Sequence, residues 1–271
     1  MQQQNLHGKR ILLTGATGSL GTETALALAA MGATLLLPVR NPAKASVLKT
    51  ILLKSVPAAD IHFLTLDMAE EASVKALANK LCAEDQPLDA LIHNAGVFTK
   101  AGLTTSQGTE WHRQVNALSP LLMTKALLPL LEQSENPAVV TVTSLSAFWS
   151  KNTDQATQNP SPTQLYAASK RLLLHQMQTL SEQHPSVRFV YAHPGVSATG
   201  LFTGTVHQTA YPPAFLKIAV PLMTVLFPSP EKASRTTLEA LVNGKNGQLA
   251  EPGGLLHIWG KPRLVPLQKR L

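Results

Sequence analysis

Short apolar runs alternate with segments of helical periodicity along most of the chain. Strands are predicted at Arg10–Thr14, Ala33–Val39, Ile61–Leu66, Leu88–His93, Ala138–Thr143 and Val187–Ala192. These runs are continuously apolar rather than alternating, as expected of strands covered by helices on both faces. Between them lie helical segments: alanine-rich Thr22 to Met31, a segment carrying Val74, Leu77 and Leu81, and residues 107–133, where Trp111, Val115, Leu118 and Leu122 recur at spacings of four, three and four. A further helix is predicted from near Pro162, where a proline in the first turn loses no needed N–H. The alternation predicts an α/β fold, a doubly wound parallel sheet with crossover helices. No repeat, low-complexity tract or linker divides the chain, so residues 1–271 are expected to form a single domain. Two stretches, 145–161 and 197–228, break the pattern. Both follow the carboxyl ends of strands, where such sheets bind ligands, and 197–228 is the candidate substrate-loop region. Its apolar part, Phe215–Phe227, reads equally as core or as a lid.

Four positions give the pattern chemical content. Thr14-Gly15-Ala16-Thr17-Gly18-Ser19-Leu20-Gly21 joins the first strand to the first helix. Glycines there let backbone approach an anion, and the helix start offers free N–H groups and a positive dipole end; the alternative is an ordinary strand–helix turn. Arg40 ends the second strand, where an NAD-binding unit carries an acid for the ribose 2′-hydroxyl. A guanidinium pairs instead with a 2′-phosphate, which favours NADP(H) over an exposed loop arginine. Asp67, after the third strand, is placed either to accept from an adenine amine or to cap the helix beginning near Glu70. Tyr166 and Lys170 stand four apart on one helix face. An ammonium beside a phenol is expected to lower the phenol's pKa toward a range useful for acid–base work.

In this company the sequence resembles a short-chain dehydrogenase/reductase, over about residues 8–200. The pattern is Gly15/Gly18/Gly21, then Asn94-Ala95-Gly96, Asn116, Ser144 and Tyr166/Lys170, in the family's order, followed by Pro194-Gly195 and Thr199. The resemblance implies a Rossmann fold and NADP(H) chemistry. It implies that Tyr166 exchanges a proton with the reacting oxygen, that Lys170 tunes Tyr166 and holds the nicotinamide ribose, and that Ser144 hydrogen-bonds that oxygen. Asn116 would support a water linking Lys170 to solvent. The glycine loop with Thr17, Ser19 and Leu20 would hold the phosphates, and Asn94, Ala95 and Gly96 would flank the adenine ribose. Pro194, Gly195 and Thr199 would meet the nicotinamide amide and phosphates. Gly108-Thr109-Glu110-Trp111 and Leu127 to Leu131 are similar to segments of retinol dehydrogenases and WW-domain oxidoreductase-like members, which implies an apolar carbonyl or alcohol substrate. In the family the helices holding Asn116 and Tyr166 often pair in a homodimer. Two departures stand out: Ser19 occupies the usual middle-glycine position, and His93 stands where the family often has Asn.

Composition refines this picture. The net charge is +7 with a pI near 9.6, but only 14% of residues are charged and no basic run or nucleic-acid motif appears, so no nucleic-acid partner is expected. The charge suits a polyanionic cofactor. After Glu251 the chain has no acid but carries Lys261, Arg263, Lys269 and Arg270, read as a solvated tail. The lone Cys82 excludes an internal disulfide and reads as a packing residue. The scattered histidines lack metal-ligand spacing, so no metal is expected. With neither a leader-like start nor a transmembrane run, the expected compartment is the cytoplasm. Two other functions compete with the enzyme: a non-catalytic NADP(H)-binding regulator, and a nucleotide-sugar epimerase or dehydratase encouraged by the glycine spacing.

Overall fold

The computed structural model describes residues 5–149, 159–195, 227–254 and 257–271. Its strands are β1 (Arg10–Leu13), β2 (Thr34–Val39), β3 (Ile61–Thr65), β4 (Ala90–His93), β5 (Ala138–Val142), β6 (Arg188–Ala192), β7 (Gln248–Pro252) and β8 (Pro262–Pro266). They form one sheet in the order β3-β2-β1-β4-β5-β6-β7-β8. Pairing is parallel as far as β7; β8 runs antiparallel to it, with Glu251 opposite Arg263. The six expected strands are present, each trimmed by up to two residues. The last two were not anticipated: QLAEP and PRLVP are short and proline-bearing, and proline suits a sheet edge.

The helices are α1 (Ser19–Ala30), α2 (Pro42–Ser55), α3 (Glu71–Glu84), α4 (Trp111–Arg113), α5 (Ser119–Leu131), α6 (Ser146–Trp149), α7 (Pro162–Gln183) and α8 (Pro230–Asn243). Local chemistry sets several starts. Asn41 accepts from Ala43 N–H at 2.9 Å before Pro42, and Ser161 forms a reciprocal capping box with Gln164 at the head of α7. The single helix expected over 107–133 is broken. Between α4 and α5 lies a π turn, Gln114–Leu118, closed by Ser119 N–H to the carbonyl of Gln114. Pro120 explains it: in an α-helix its ring would collide with the carbonyl of residue 116, and it has no N–H to give that carbonyl.

Strand residues alternate between two buried layers. Leu12, Leu36, Leu91, Val139, Phe189 and Leu249 pack with residues of α3, α5 and α7, such as Leu77, Leu127 and Leu173. Ile11, Leu13, Leu35, Ile92, Val140 and Val190 pack with Leu28 of α1, Leu52 of α2 and Leu241 of α8. Cys82 joins the first layer's rim, its Sγ 3.4 Å from the carbonyl of Ala126. No described helix is long and apolar enough to cross a membrane. Strand order reverses between β1 and β4, the switch point at which α/β sheets open a crevice.

The C-terminal tail is not a solvated strand of positive charge, which corrects the expectation. Arg263 and Arg270 converge on Glu251, which is fully buried. Burial opposes ionisation of that carboxyl, but the facing His193 imidazole and the hydrogen bonds from Arg270 and Arg263 outweigh it and hold its pKa below the ordinary carboxylate range.

Leu91 is fully buried at the centre of the sheet, whereas Val47 on α2 is 62% exposed. Leu91→Ala is expected to lower unfolding free energy by about 2–5 kcal/mol, and Val47→Ala to shift it by less than about 0.5 kcal/mol, both read from urea denaturation.

Candidate active site

The crevice at β1 and β4 is built by backbone contact. Gly15 has φ +69°, and a Cβ there would stand 2.7 Å from Cα of Ala95. Gly21, inside α1, would place a Cβ 2.2 Å from the carbonyl oxygen of Gly15. Both glycines are therefore demanded by packing of the loop against β4 and of α1 against the loop. Asn94 secures the junction: its Nδ2 donates to the carbonyls of Thr14 (3.0 Å) and Gly15 (3.2 Å). The N–H groups of Asn94 and Ala95 donate to the Thr14 hydroxyl, each at 3.1 Å. Asn94 and Ala95 thus hold the loop in shape. Gly18, exposed at the N-cap of α1, supplies no capping side chain, and the first turn, with Ser19 and Leu20, holds no acid. Thr17 lies half-buried in the same loop. A positive helix end left open at a glycine loop fits a diphosphate.

Arg40 is exposed beyond β2, its Nη1 3.6 Å from Oδ2 of Asp67. Asp67 also accepts from Ala69 N–H at 2.9 Å. It makes a local turn before α3 rather than capping that helix, whose N-cap is Glu70. The two side chains thus stand together at the crevice rim, with the guanidinium open to solvent.

The four residues expected to do chemistry are on three neighbouring elements. Lys170 is buried on α7, and its ammonium donates to the carbonyl of Val142 in β5 at 3.0 Å. Gly96 makes room for it: a Cβ there would lie 3.2 Å from Nζ of Lys170 and 3.6 Å from Oδ1 of Asn116. Tyr166, one turn earlier, sets its hydroxyl beside Ser144 just past β5, and Ser144 pulls its pKa downward. Ser146 directs two donors at the Ser144 oxygen, its N–H (3.3 Å) and its hydroxyl (3.0 Å). Ser144 thereby keeps its own hydroxyl proton to donate. Asn116, in the π turn, is fully buried and committed to protein partners. Its Oδ1 accepts from Val97 N–H (2.8 Å), and its Nδ2 donates to the Val97 carbonyl (3.1 Å) and to Ser169 Oγ (3.0 Å). Ser169 in turn donates to the Tyr166 carbonyl at 2.7 Å. The side chain of Asn116 therefore ties the stretch that follows β4 to α7.

The electrostatics differ from expectation. Burial pushes the Tyr166 phenol up to about 12, opposed by the Ser144 hydrogen bond. Lys170 does not bring it down, because burial pulls Lys170 itself to about 8 and its ammonium faces the Val142 carbonyl. His93 is also buried. Thr124 donates to the Pro120 carbonyl and so accepts from His93 Nε2 at 2.7 Å. Burial, then the charge of Lys170, hold His93 neutral, near 3.

Two contributors carried no motif. Phe98 packs edge-on against the Tyr166 ring (centroids 5.4 Å apart, planes at 85°). His112 supports that stretch by accepting from Thr99 N–H at 3.0 Å, while its Nδ1 meets Glu110 at 2.6 Å. The other is His193, which accepts from Gly195 N–H at 3.1 Å. Pro194 and Gly195 follow β6 on the same carboxyl side of the sheet as Ser144. Thr199 and nearly all of 197–228 lie outside the described residues.

With this geometry in hand, comparison with known proteins is direct. The chain matches the short chain dehydrogenase family over residues 9–210 and belongs to it. It is 31% identical to mouse (Mus musculus) polyprenol dehydrogenase over 97% of this chain and 82% of that protein. It is 28% identical to dehydrogenase/reductase SDR family member 12 of Bos taurus over 69% of this chain, a match spanning 60% of that relative's length. A short chain dehydrogenase/reductase from Burkholderia phymatum in complex with NAD superposes with TM-score 0.71 at 19% identity (89% of this chain, 88% of that one). A metagenomic short-chain oxidoreductase in complex with NADP gives TM-score 0.64, also at 19% identity (88% and 92%). These two establish the fold, with its largely parallel sheet. The chain is thus a short chain dehydrogenase family member by sequence, with the fold of those structures.

Lys170 generates a pH test. Its pKa, ordinarily 10.5, is about 8 in the folded chain, so the unfolded chain holds the extra proton between those values. Folding stability should then rise with pH across that window. Lys170→Met is expected to be more stable than wild type near neutral pH, by up to about 3 kcal/mol. That margin should shrink as pH climbs from about 8 toward about 10.5, as followed by denaturant unfolding at several pH values.

Proposed function

We propose that the chain is an NADP(H)-dependent oxidoreductase that interconverts a carbonyl and an alcohol on an apolar substrate. The observation that carries the reading is the hydroxyl pair: the Tyr166 hydroxyl set beside Ser144, with Lys170 buried one turn along α7. When bound, the nicotinamide supplies or accepts the hydride. Tyr166 with a pKa near 12 keeps its proton at neutral pH, as an acid must before protonating a carbonyl oxygen. Ser144 orients that oxygen as a fixed donor. As Tyr166 loses its proton, Lys170 one turn away, with its pKa near 8, returns one between turnovers. Gly15, Thr17, Gly18, Ser19, Leu20 and Gly21 hold the diphosphate, and Arg40 reads a 2′-phosphate from its open position beside Asp67. Asn94, Ala95 and Gly96 line the ribose side; Pro194 and Gly195 meet the nicotinamide end.

Phe98 against the Tyr166 ring, together with a relative whose name specifies polyprenol, a long apolar alcohol, supports the apolar substrate.

The test is a panel of apolar aldehydes, ketones and alcohols followed by nicotinamide absorbance. Turnover is expected with NADPH or NADP, and Tyr166→Phe should lower kcat by about 10²–10⁴-fold while leaving cofactor affinity within a factor of about two. Turnover equal in Tyr166→Phe and wild type would remove the catalytic assignment. Arg40→Asp is expected to weaken NADPH binding by about tenfold or more, the loss of a charge-assisted contact, with little change for NADH. Equal losses in a binding titration would show that Arg40 does not read the phosphate.

A further inference from the structure

The cofactor turn after β6 is gripped by the C-terminal end of the chain, and no motif accounts for the grip. His193 is fully buried where β6 ends. Its Nδ1 accepts from Gly195 N–H at 3.1 Å. An accepting Nδ1 carries no proton, so the proton sits on Nε2. That Nε2 points toward Oε2 of Glu251 at 3.7 Å, longer than a direct hydrogen bond. The imidazole also meets the edge of Phe148, two residues beyond Ser146 (centroids 6.0 Å apart, planes at 63°). One ring thus touches the turn, the Ser144 segment and β7.

Glu251 is in turn set by the last residues of the chain. Arg263 donates to its Oε1 through Nε (3.0 Å) and Nη2 (2.8 Å). Arg270 donates to Oε2 through Nε (2.8 Å) and to Oε1 through Nη2 (2.5 Å). Arg270 also reaches His257 Nε2 at 2.9 Å. The backbone beside His257 presses on the turn from another side. A Cβ at Gly195, where φ is +74°, would stand 2.8 Å from the carbonyl oxygen of Ile258 and 3.2 Å from that of His257. The Pro194–Gly195 turn is therefore held twice by the same C-terminal segment, through the buried carboxylate and imidazole and through direct backbone contact.

We infer that His193 is a positioning residue for the Pro194–Gly195 turn, and that Glu251, Arg263 and Arg270 make the C-terminal segment part of that device. The inference rests on the reading of this turn as the nicotinamide end of the cofactor site. His193 acts through Gly195: by occupying its N–H it sets the turn's backbone, and the carboxylate–arginine cluster sets the imidazole. A buried polar cluster that merely stabilised the fold would affect the whole cofactor site alike.

The experiment compares wild type with His193→Phe, His193→Asn and Arg270→Gln by equilibrium titration. The probes are NADPH and NADH, and their adenosine halves 2′,5′-ADP and ADP. His193→Phe keeps a ring against Phe148 but removes the acceptor. It is expected to weaken the dinucleotide by about five- to tenfold, the worth of one hydrogen bond, while the adenosine half binds within about twofold of wild type. His193→Asn places an amide oxygen near the position of Nδ1 and should restore dinucleotide affinity to within about twofold. Arg270→Gln, at a partly exposed side chain that leaves the turn itself intact, should show a smaller loss of the same kind; if His193→Phe does not fold, this variant decides alone. Dinucleotide affinity equal to wild type, or a parallel loss of the adenosine half, overturns the inference. A wild-type protein that binds neither NADPH nor NADH overturns the cofactor reading and the inference with it.

Discussion

The close approach of backbone at the switch point is the constraint on which the rest depends. Gly15, Gly21 and Ala95 meet at distances that leave no room for a side chain on either glycine. That contact lets α1 start directly over the end of β1 and brings β4 beside the glycine loop. Asn94 then satisfies carbonyls that the sharp turn would otherwise strand. Once the loop is fixed to β4, the residues that follow β4 are fixed too, and Gly96 opens the space that Lys170 fills.

The site carries two penalties, both from burial. An ammonium is buried against the Val142 carbonyl, and a phenol is enclosed beside Ser144. Desolvation moves their pKa values apart from where a simple pair would sit: the phenol upward, the ammonium downward. In the proposed reaction, a protonated tyrosine beside an amine that titrates near pH 8 serves as a proton donor with a local supply. The π turn serves the same region. Forced by Pro120, it turns Asn116 inward to brace Val97 and Ser169, so that helix irregularity becomes a fixed link between the strand end and α7.

At the far edge of the sheet, one buried carboxylate does what many scattered contacts do elsewhere. Glu251 balances two arginines and faces a neutral histidine, and it converts a basic tail into a sheet edge bonded back to the site. An unpaired carboxylate at full burial would be costly, so the arginines and β8 are mutually dependent.

The sequence by itself determined the six strands through β6, the crossover helices, the glycine loop, and the helix face shared by Tyr166 and Lys170. Each rests on local periodicity or on a spacing of a few residues. Only the tertiary structure decided the break at Gln114–Leu118, the pairing of Arg40 with Asp67, the packing of Phe98 on Tyr166 and the rise rather than fall of the Tyr166 pKa. It alone decided the fate of the tail, because Glu251 meets Arg263 and Arg270 only once β8 folds back on β7. The physical reason is common to all of these. A hydrophobic period reports which face of an element is buried, whereas desolvation and charge pairing depend on what distant segments bring to that face, and no local spacing encodes it.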